Sequence, residues 1–294
     1  MNKPISLETR KPKWLKTKIP TGETYFKIKK SLRESKLHTV CEEAKCPNIG
    51  ECWNNKTATF MIMGDTCTRA CRFCHIKTAS KPPELDQNEP QAVASNCLKM
   101  GLEYVVLTMV NRDDMPDGGS KHIFDVISKI KFEMPEIKVE LLAGDFQNNQ
   151  SSILQVLETQ LVVFAHNIET IERLTPRVRD ARASYIQSLE VLQFVKEKRP
   201  ELVTKSSIMI GLGESEEEII KTIEDLKKAG VDMITIGQYM RPTPKHLSVK
   251  KWYSPEEFKT LEKKALELGI KGVVSGPLVR SSYKANEFYE KTFG

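Results

Sequence analysis

Three cysteines in the spacing C-x3-C-x2-C constrain this chain more than any other feature of its sequence: Cys67, Cys71 and Cys74. Such a spacing fits one tight loop, and three thiolates can hold three corners of a cubane iron–sulfur cluster. A 4Fe–4S cluster normally takes four thiolates, so one iron would stay open for a ligand that is not protein. Zinc sites usually use four ligands in paired sets, and His75 follows too closely to be a comfortable fourth. The triplet therefore favours a cluster over zinc.

A second triplet has its own spacing, C-x4-C-x5-C, and precedes the first: Cys41, Cys46 and Cys52. Pro47 and Gly50 break any helix in this segment, so we expect the three thiols to lie on a loop that wraps around an inorganic core. Buried structural thiols have no reason to gather on two neighbouring loops. The two triplets together predict two metal clusters.

The length and composition of the chain fit one large domain without a membrane span. The chain has 294 residues, 39% hydrophobic and 29% charged, with no apolar run long enough to cross a bilayer. Seven cysteines, and no secretory signal in residues 1–12, favour metal or redox use in a reducing compartment. We therefore expect a cytoplasmic protein. Cys97, within a predicted helix, is interpreted as an ordinary buried thiol.

Positive charge is concentrated near the start of the chain. Residues 1–40 hold eleven Lys or Arg and three Glu, so the net charge of +6 leaves about −2 for the remainder. We expect a basic arm that leads into a short helix near Tyr25–Lys36. The arm could recruit an acidic protein, or it could be a solvated surface. It contains no nucleic-acid-binding motif, so nucleic acid is not expected as a partner.

From Thr57 onward the sequence alternates between β-branched apolar runs and amphipathic stretches, which predicts an α/β fold. Six βα units imply a parallel sheet that curls into an open, partial (β/α)6 TIM-like barrel. We expect a short further strand at 270–275 before the tail and a helix at 283–291. Predicted strands are 58–63, 103–109, 137–143, 161–165, 203–210 and 231–237; predicted helices are 90–100, 120–133, 151–158, 184–198, 215–229 and 254–268.

Distinctive residues follow these strands at their carboxyl ends, where barrel enzymes place their sites. A Gly-x-Gly turn in Gly211–Glu214 can bring backbone close to a ligand, although such a turn is weak evidence by itself. His166 is more often structural than a ligand. The polar run at 112–114 could bind a cofactor or form a cap and an ion pair. The residues that follow the strands are Cys67–Cys74, Arg112, Asp113, Asp114, His166, Asn167, Gly211, Gly213, Glu214 and Gln238–Pro242.

The first triplet, with Phe73 before its last cysteine, resembles the signature of the radical S-adenosylmethionine (radical SAM) enzymes. In that family S-adenosylmethionine chelates the open iron. The resemblance implies a partial barrel of the radical SAM type, with Cys67, Cys71 and Cys74 as cluster ligands. Phe73 could pack on the adenine, or be a core aromatic. Residues interpreted as contacts of S-adenosylmethionine are Phe73, Asn167, Gly211, Gly213 and Glu214.

Taken in order, several motifs resemble one family closely, the lipoyl synthases. They are the two cysteine triplets, Arg112-Asp-Asp followed by Asp117-Gly-Gly, Gly237-Gln-Tyr-Met-Arg-Pro-Thr, and Arg280-Ser-Ser-Tyr. Asn111 stands where the family often has Asp. The match covers roughly residues 35–290.

The resemblance implies that Cys41, Cys46 and Cys52 bind an auxiliary 4Fe–4S cluster whose fourth ligand is Ser282. A weak serine ligand can leave when that cluster must open. The implied reaction inserts two sulfur atoms at C6 and C8 of an octanoyl chain on a carrier-protein lysine. The implied cofactors are two 4Fe–4S clusters and S-adenosylmethionine, the latter a source of 5′-deoxyadenosyl radicals. Its partners are the octanoylated carrier, which is often acidic, and a flavodoxin- or ferredoxin-type electron donor.

We accordingly expect three regions in the chain. Residues 1–56 would form a basic extension with the auxiliary cysteine loop, residues 57–269 the barrel, and residues 270–294 a C-terminal extension with Arg-Ser-Ser-Tyr. Three alternatives stay open: another two-cluster radical SAM sulfur-inserting enzyme, a two-cluster electron carrier, and a zinc-binding interaction protein. Electron carriers bring four thiolates to each cluster and need no barrel, and a sulfide-containing protein would exclude zinc.

Overall fold

The computed structural model of this chain describes residues 11–15, 22–35, 37–43, 46, 48–54 and 59–294. Much of the predicted basic arm, residues 1–10, 16–21 and 36, lies outside the described residues. The helix expected near Tyr25–Lys36 is present at Glu23–Glu34, where Tyr25, Ile28 and Leu32 are buried. Across the described ranges, no helix is long and apolar enough to span a membrane.

One large sheet organises the molecule. Its eight strands follow the order β1-β2-β5-β6-β7-β8-β9-β10, and only β1 runs antiparallel to its neighbour. The partial-barrel prediction is confirmed, with the strand expected near 270–275 forming a seventh parallel strand beside β9. The strands of this sheet are β1 His38–Thr39, β2 Thr59–Ile62, β5 Tyr104–Met109, β6 Lys138–Leu142, β7 Val163–Ala165, β8 Val203–Ile210, β9 Met233–Gln238 and β10 Gly272–Gly276; β3 Thr66–Cys67 and β4 Lys77–Thr78 pair separately.

Helices follow the strands along the chain, as the period of the apolar residues predicts. Capping boxes begin two of them, with Ser215 and Glu218 at α9 and Ser254 and Glu257 at α10. Each box satisfies backbone N–H groups that the first helical turn leaves free. The helices are α1 Glu23–Glu34, α2 Val40–Glu43, α3 Ile49–Asn54, α4 Glu89–Met100, α5 Ser120–Glu133, α6 Gln150–Leu157, α7 Thr175–Val178, α8 Tyr185–Lys198, α9 Glu216–Lys228, α10 Pro255–Glu267 and α11 Ala285–Phe293.

Apolar side chains pack on both faces of the sheet. The outward-facing residues of the strands form two large clusters with the surrounding helices, one for each half of the barrel. Inside the barrel, two smaller clusters join β5, β7, β8 and β9 to α11. The C-terminal helix therefore packs on the inner face of the sheet, whereas helices such as α5, α9 and α10 pack on the outer face.

The prediction that the first three cysteines lie on an irregular loop is wrong for two of them. Cys41 is in α2 and Cys52 is in α3, with Gly50 inside the latter helix. A glycine in a helix interior costs only about 1 kcal/mol relative to alanine. Burial of Trp53 against the N-terminal half of the core supplies a larger opposing contribution.

Candidate functional site

The loop that carries Cys67, Cys71 and Cys74 is fixed by a buried arginine. Arg69 lies between two carboxylates, with Nη2 at 2.7 Å from Asp113 Oδ1 and Nη1 at 2.6 Å from Asp145 Oδ2. All three side chains are almost fully enclosed. A buried cation is tolerated when it is paired and hydrogen-bonded in this way. Arg69 thus ties the cysteine loop to the carboxyl ends of β5 and β6.

Two further segments contact the same loop. The Asp180 N–H donates to Cys71 Sγ at 3.3 Å, and His246 Nε2–H donates to the Cys74 carbonyl at 2.9 Å. Burial raises the pKa of Cys71 to about 11 and that of Cys74 to about 12. Thiols in such a setting ionise readily only when a metal ion or a cation stabilises the thiolate.

The polar run after β5 is committed to internal ion pairs. Arg112 binds Asp114 through two nitrogens, at 2.9 and 2.8 Å, and Asp113 accepts from Arg69 and from the hydroxyl of Thr68. Of the two roles that the sequence left open for this run, the geometry favours the ion pair. Asp113 orients the cysteine loop through Arg69.

At the end of β7, His166 and Asn167 have different surroundings. His166 is buried, donates from Nδ1 to the Ala143 carbonyl and accepts at Nε2 from the Ser188 hydroxyl. Burial lowers its pKa to about 4, so the ring is neutral near pH 7. Asn167 is half-buried, and its amide donates to Glu169 at 3.1 Å.

Glu169 is a candidate that the sequence reasoning missed. Its φ of 67° is in the left-handed region, which is uncommon for a residue other than glycine. Burial raises the pKa of its carboxyl, and its charge acts on the thiols of Cys71 and Cys74. Strained backbone of this kind often marks a functional position. Its place two residues after Asn167, at a strand end, was the available signal.

Hydrogen bonds to the side chain of Glu214 hold much of the Gly211–Glu214 turn in shape. Gly211 has a φ of 111°, and a side chain there would meet Gln238 Nε2 at 2.2 Å. Glu214 accepts from the backbone N–H groups of Gly211 and Leu212 and from the Tyr253 hydroxyl. The carboxylate of Glu214 therefore shapes the turn.

Gly213 and Phe73 differ in how open their surroundings are. A side chain at Gly213 would meet only Lys250, at 3.7 Å or more. Phe73 is half-buried and packs against the apolar cluster of the C-terminal half. The core interpretation of Phe73 thus has direct support, while Gly213 leaves space above the turn.

The second triplet lies in a buried environment near the edge of the sheet. Burial raises the pKa of Cys41 and of Cys52 to about 12, and also raises that of Cys46. The indole Nε1 of Trp53 is buried beside the thiol of Cys41, whose pKa it lowers. A buried N–H beside a cysteine suits an anionic sulfur cluster, because such a cluster would accept from it.

The tail after β10 reaches this triplet. Thr59 donates from Oγ1 to Ser282 Oγ at 2.9 Å, and a backbone hydrogen bond from Thr59 lowers the pKa of Cys41. Asn48 Nδ2 donates to the Leu278 carbonyl at 2.7 Å. Ser282 and the cysteine segment, more than 220 positions apart in sequence, are therefore neighbours in the fold.

The remaining tail contacts are electrostatic. The Tyr283 hydroxyl lies 3.3 Å from Glu51, and Lys284 Nζ lies 3.4 Å from the same carboxylate. Arg280 is near Cys46, whose pKa it lowers. The Arg-Ser-Ser-Tyr motif therefore covers one side of the second triplet.

The donor set fits iron–sulfur clusters. Within the described part of the chain, no three His, Cys, Asp or Glu side chains converge as one metal ion would require. A cubane cluster instead spreads its thiolates over separate irons. Cys97 is fully buried in α4, where its neighbours belong to the core.

Comparison with protein families gives two matches. Residues 61–226 match the radical SAM superfamily, and residues 2–46 match the N-terminal domain of lipoyl synthase of the radical SAM family. "Lipoyl synthase, mitochondrial" of Drosophila sechellia is 57% identical over 285 residues, which are 95% of this chain and 76% of that protein. The protein of the same name from Schizosaccharomyces japonicus is 55% identical, over 97% of this chain and 77% of its own length.

Solved structures show the same fold at low sequence identity. Methylornithine synthase (PylB) aligns with a TM-score of 0.56 and 16% identity, over 85% of this chain and 69% of its own. The FeFe-hydrogenase maturase HydG from Carboxydothermus hydrogenoformans aligns with a TM-score of 0.55 and 13% identity, over 92% of this chain and 70% of its own. Together with the match of residues 61–226 to the radical SAM superfamily, this shared fold confirms the predicted radical SAM type of partial barrel.

The prediction of a cytoplasmic location is wrong. The similar proteins from flies, mosquitoes and a fission yeast are named mitochondrial, which points to the mitochondrion. Free cysteines indicate only a reducing compartment. They do not distinguish one such compartment from another.

Proposed function

The chain belongs to the lipoyl synthase family of radical SAM enzymes, and on that premise we propose which of its residues carry each part of the reaction. The family and enzyme class inferred from the motifs are confirmed. As a radical SAM enzyme it uses a 4Fe–4S cluster and S-adenosylmethionine, and as a lipoyl synthase it acts on an octanoylated lipoyl carrier. The residue assignments, the second cluster and the electron donor are our proposals.

We assign the cluster that binds S-adenosylmethionine to Cys67, Cys71 and Cys74. The paired Arg69 and the N–H donor of Asp180 support this assignment, since they hold the loop and polarise one thiolate. We place S-adenosylmethionine in the space beside Asn167, Glu169 and the open side of Gly213. Phe73, Gly211 and Glu214, committed to packing or to their own turn, would shape that space.

We assign an auxiliary 4Fe–4S cluster to Cys41, Cys46, Cys52 and Ser282. The observation that carries this proposal is the 2.9 Å contact of Ser282 with the Thr59 hydroxyl, because the Thr59 backbone also lowers the pKa of Cys41. Three thiolates leave one iron of a cubane without a protein ligand, and we assign the Ser282 hydroxyl to that iron. Arg280 adds positive charge beside Cys46, which offsets part of the negative charge of such a cluster.

Together the two sites suit insertion of sulfur at C6 and C8 of an octanoyl chain. An unactivated methylene offers no proton to a base and no electrophile to a nucleophile, so the bound groups must supply a 5′-deoxyadenosyl radical and the sulfur atoms. The chain's own residues hold those groups, neutralise part of their charge and exclude water. A low-potential donor of the flavodoxin or ferredoxin type would provide the electrons.

An anaerobic single turnover tests these assignments. The reconstituted protein would receive reductant, S-adenosylmethionine and an octanoyl-lysine peptide, and mass spectrometry would follow the peptide. We expect two sulfur atoms gained: the dithiol product keeps the hydrogen count of the octanoyl chain, and its oxidation to the cyclic disulfide removes two hydrogens. Cys52→Ala and Ser282→Ala should abolish the gain of sulfur while 5′-deoxyadenosine still forms, whereas Cys74→Ala should abolish both products.

Cys97→Ala is the matched control, because Cys97 lies outside both triplets, and it should leave both products intact. Unchanged sulfur insertion in Ser282→Ala would refute that ligand assignment. Formation of 5′-deoxyadenosine without any change in the peptide would refute the proposed substrate.

A further inference from the structure

Helix α11 closes the amino-terminal end of the partial barrel from inside. Phe288 is buried and packs with Val163, Val203 and Met233, which are the first residues of β7, β8 and β9. Ala285, one turn earlier, packs with Tyr104 at the start of β5. The helix therefore contacts the ends of several strands at once, and none of these contacts takes part in the chemistry described above.

The Phe288 ring also covers a buried ion pair. Lys205 Nζ lies 2.7 Å from Glu140 Oε1, and both side chains are almost fully enclosed. The Tyr104 hydroxyl donates to the second oxygen of Glu140 at 2.6 Å. Lys205 Nζ is 5.6 Å from the centre of the Phe288 ring, within range of a cation–π contact. The ring thus has a specific partner as well as apolar neighbours.

Only two residues separate Ser282 from the first residue of α11. One of them, Lys284, has φ 49° and ψ 41°, in the left-handed region. A lysine keeps this conformation only where the surrounding structure fixes the backbone on both sides. On the other side of Ser282, Arg280 donates to the Gln238 carbonyl at 3.3 Å, and the Tyr283 N–H bonds to the Arg280 carbonyl. The short segment with Ser282 is held at both ends.

We propose that Phe288 is a positioning residue for the auxiliary site. It anchors α11 inside the barrel, and α11 in turn keeps the Ser282 hydroxyl within reach of the iron that the three cysteines leave without a protein ligand. This inference rests on the proposed role of Ser282 as a ligand. Loss of the anchor should expose that iron although every ligand is still present in the chain.

The test isolates the auxiliary cluster in the full chain. Cys67→Ala, Cys71→Ala and Cys74→Ala together remove the other cluster site, and Phe288→Ala or Ser282→Ala is then added to that parent. A brief treatment with ferricyanide oxidises a 4Fe–4S cluster by one electron, and a cluster with an unprotected iron then releases it as Fe²⁺. Iron analysis and low-temperature EPR measure the product, which is a three-iron cluster.

We expect the parent to keep about four irons per chain, and both Phe288→Ala and Ser282→Ala to fall to about three with the EPR signal of a three-iron cluster. Phe288→Leu, which keeps most of the apolar contact, should restore the parent's behaviour. Phe258→Ala is the matched control, because Phe258 is equally buried but packs on the outer face of the sheet. It should lower the unfolding midpoint without loss of iron.

Each outcome decides a different point. If Ser282→Ala loses iron but folded Phe288→Ala does not, the positioning role is wrong and the ligand assignment stands. If Ser282→Ala itself keeps its iron, the ligand assignment fails, and the positioning role fails with it. If Phe288→Ala does not fold, Phe288→Met decides: faster release of iron than in the parent supports the proposal, and an unchanged rate overturns it.

Discussion

The two cysteine segments are held in different ways. The segment with Cys67–Cys74 is fixed by charged groups of the barrel, chiefly Arg69 between Asp113 and Asp145. The segment with Cys41–Cys52 is fixed by apolar burial of Trp53 and by the C-terminal tail, through neutral or partly exposed contacts. The first arrangement belongs to the sheet itself. The second depends on a tail that follows the sheet in sequence and is anchored to it through α11.

This difference agrees with the proposed chemistry. The cluster that binds S-adenosylmethionine must return unchanged after each turnover, so a rigid loop suits it. The auxiliary cluster would be consumed as the sulfur donor and rebuilt. A site whose fourth ligand comes from a separately anchored tail can open without unfolding the barrel. On the proposed assignments, the molecule would combine a permanent site with a renewable one.

The largest expected effect concerns Arg69, which fixes the loop with Cys67–Cys74. Arg69→Met leaves Asp145 buried without its cation, which should lower the free energy of unfolding by about 3–5 kcal/mol. Formation of 5′-deoxyadenosine should fall, while the auxiliary cluster keeps its iron. Urea unfolding and product analysis measure both effects. Arg173→Met is the control, because Arg173 pairs with Glu218 at the surface and should cost less than about 1 kcal/mol.

A pH effect should follow from His166, which is linked through Ser188 to Arg179 beside the rigid loop. Its pKa is about 4 in the folded chain against an ordinary 6.5, so the unfolded chain binds more protons between these values. Stability should therefore fall as the pH drops below 6.5. Between pH 7 and pH 5 the loss should be about 2 kcal/mol.

His166→Asn supplies the reference for this effect. Urea unfolding of the metal-free full chain at both pH values should show a smaller loss in His166→Asn than in the natural sequence. An equal loss in the two proteins would mean that other groups account for the pH dependence.

The smallest expected effect concerns the contact between Asn48 and the tail at the second triplet. Asn48→Ala leaves the Leu278 carbonyl without its donor, which should cost about 1 kcal/mol of stability. It should also increase the rate at which the auxiliary cluster loses iron. Tyr283→Phe, which removes only a long and partly exposed contact to Glu51, should change neither quantity measurably. Equal rates of iron loss in the two variants would argue that Asn48 does not hold the tail.

Local signals predicted the fold well. The β-branched run at 203–210 matches β8 at both ends, and the Ser215 capping box begins α9 one residue after the predicted start. These features depend on near neighbours in sequence, which a periodic pattern records. The short helices around Cys41 and Cys52 were missed because packing of Trp53 outweighs the local cost of Gly50.

The sequence predicted which residues form the candidate site, but only part of how they are arranged. Motif spacing predicted both triplets, the family resemblance added Ser282, and the structure brings the tail to the second triplet. The ion pairs of Arg69 and the internal bonds of Glu214 could not be foreseen, because the partners lie on other strands or in the same turn. Glu169 was missed because its left-handed backbone conformation cannot be predicted from the residue type.

The contact between Thr59 and Ser282, 223 positions apart, also has a consequence for biosynthesis. A ribosome that has released the cysteines of both triplets has still to translate the segment that completes one of them. The loop with Cys67–Cys74 receives its contacts from Asp113, Asp145, Asp180 and His246, which all precede the tail, whereas the other site stays incomplete until the tail is made. On the proposed assignments, the auxiliary site would therefore be the second of the two sites to be completed during synthesis.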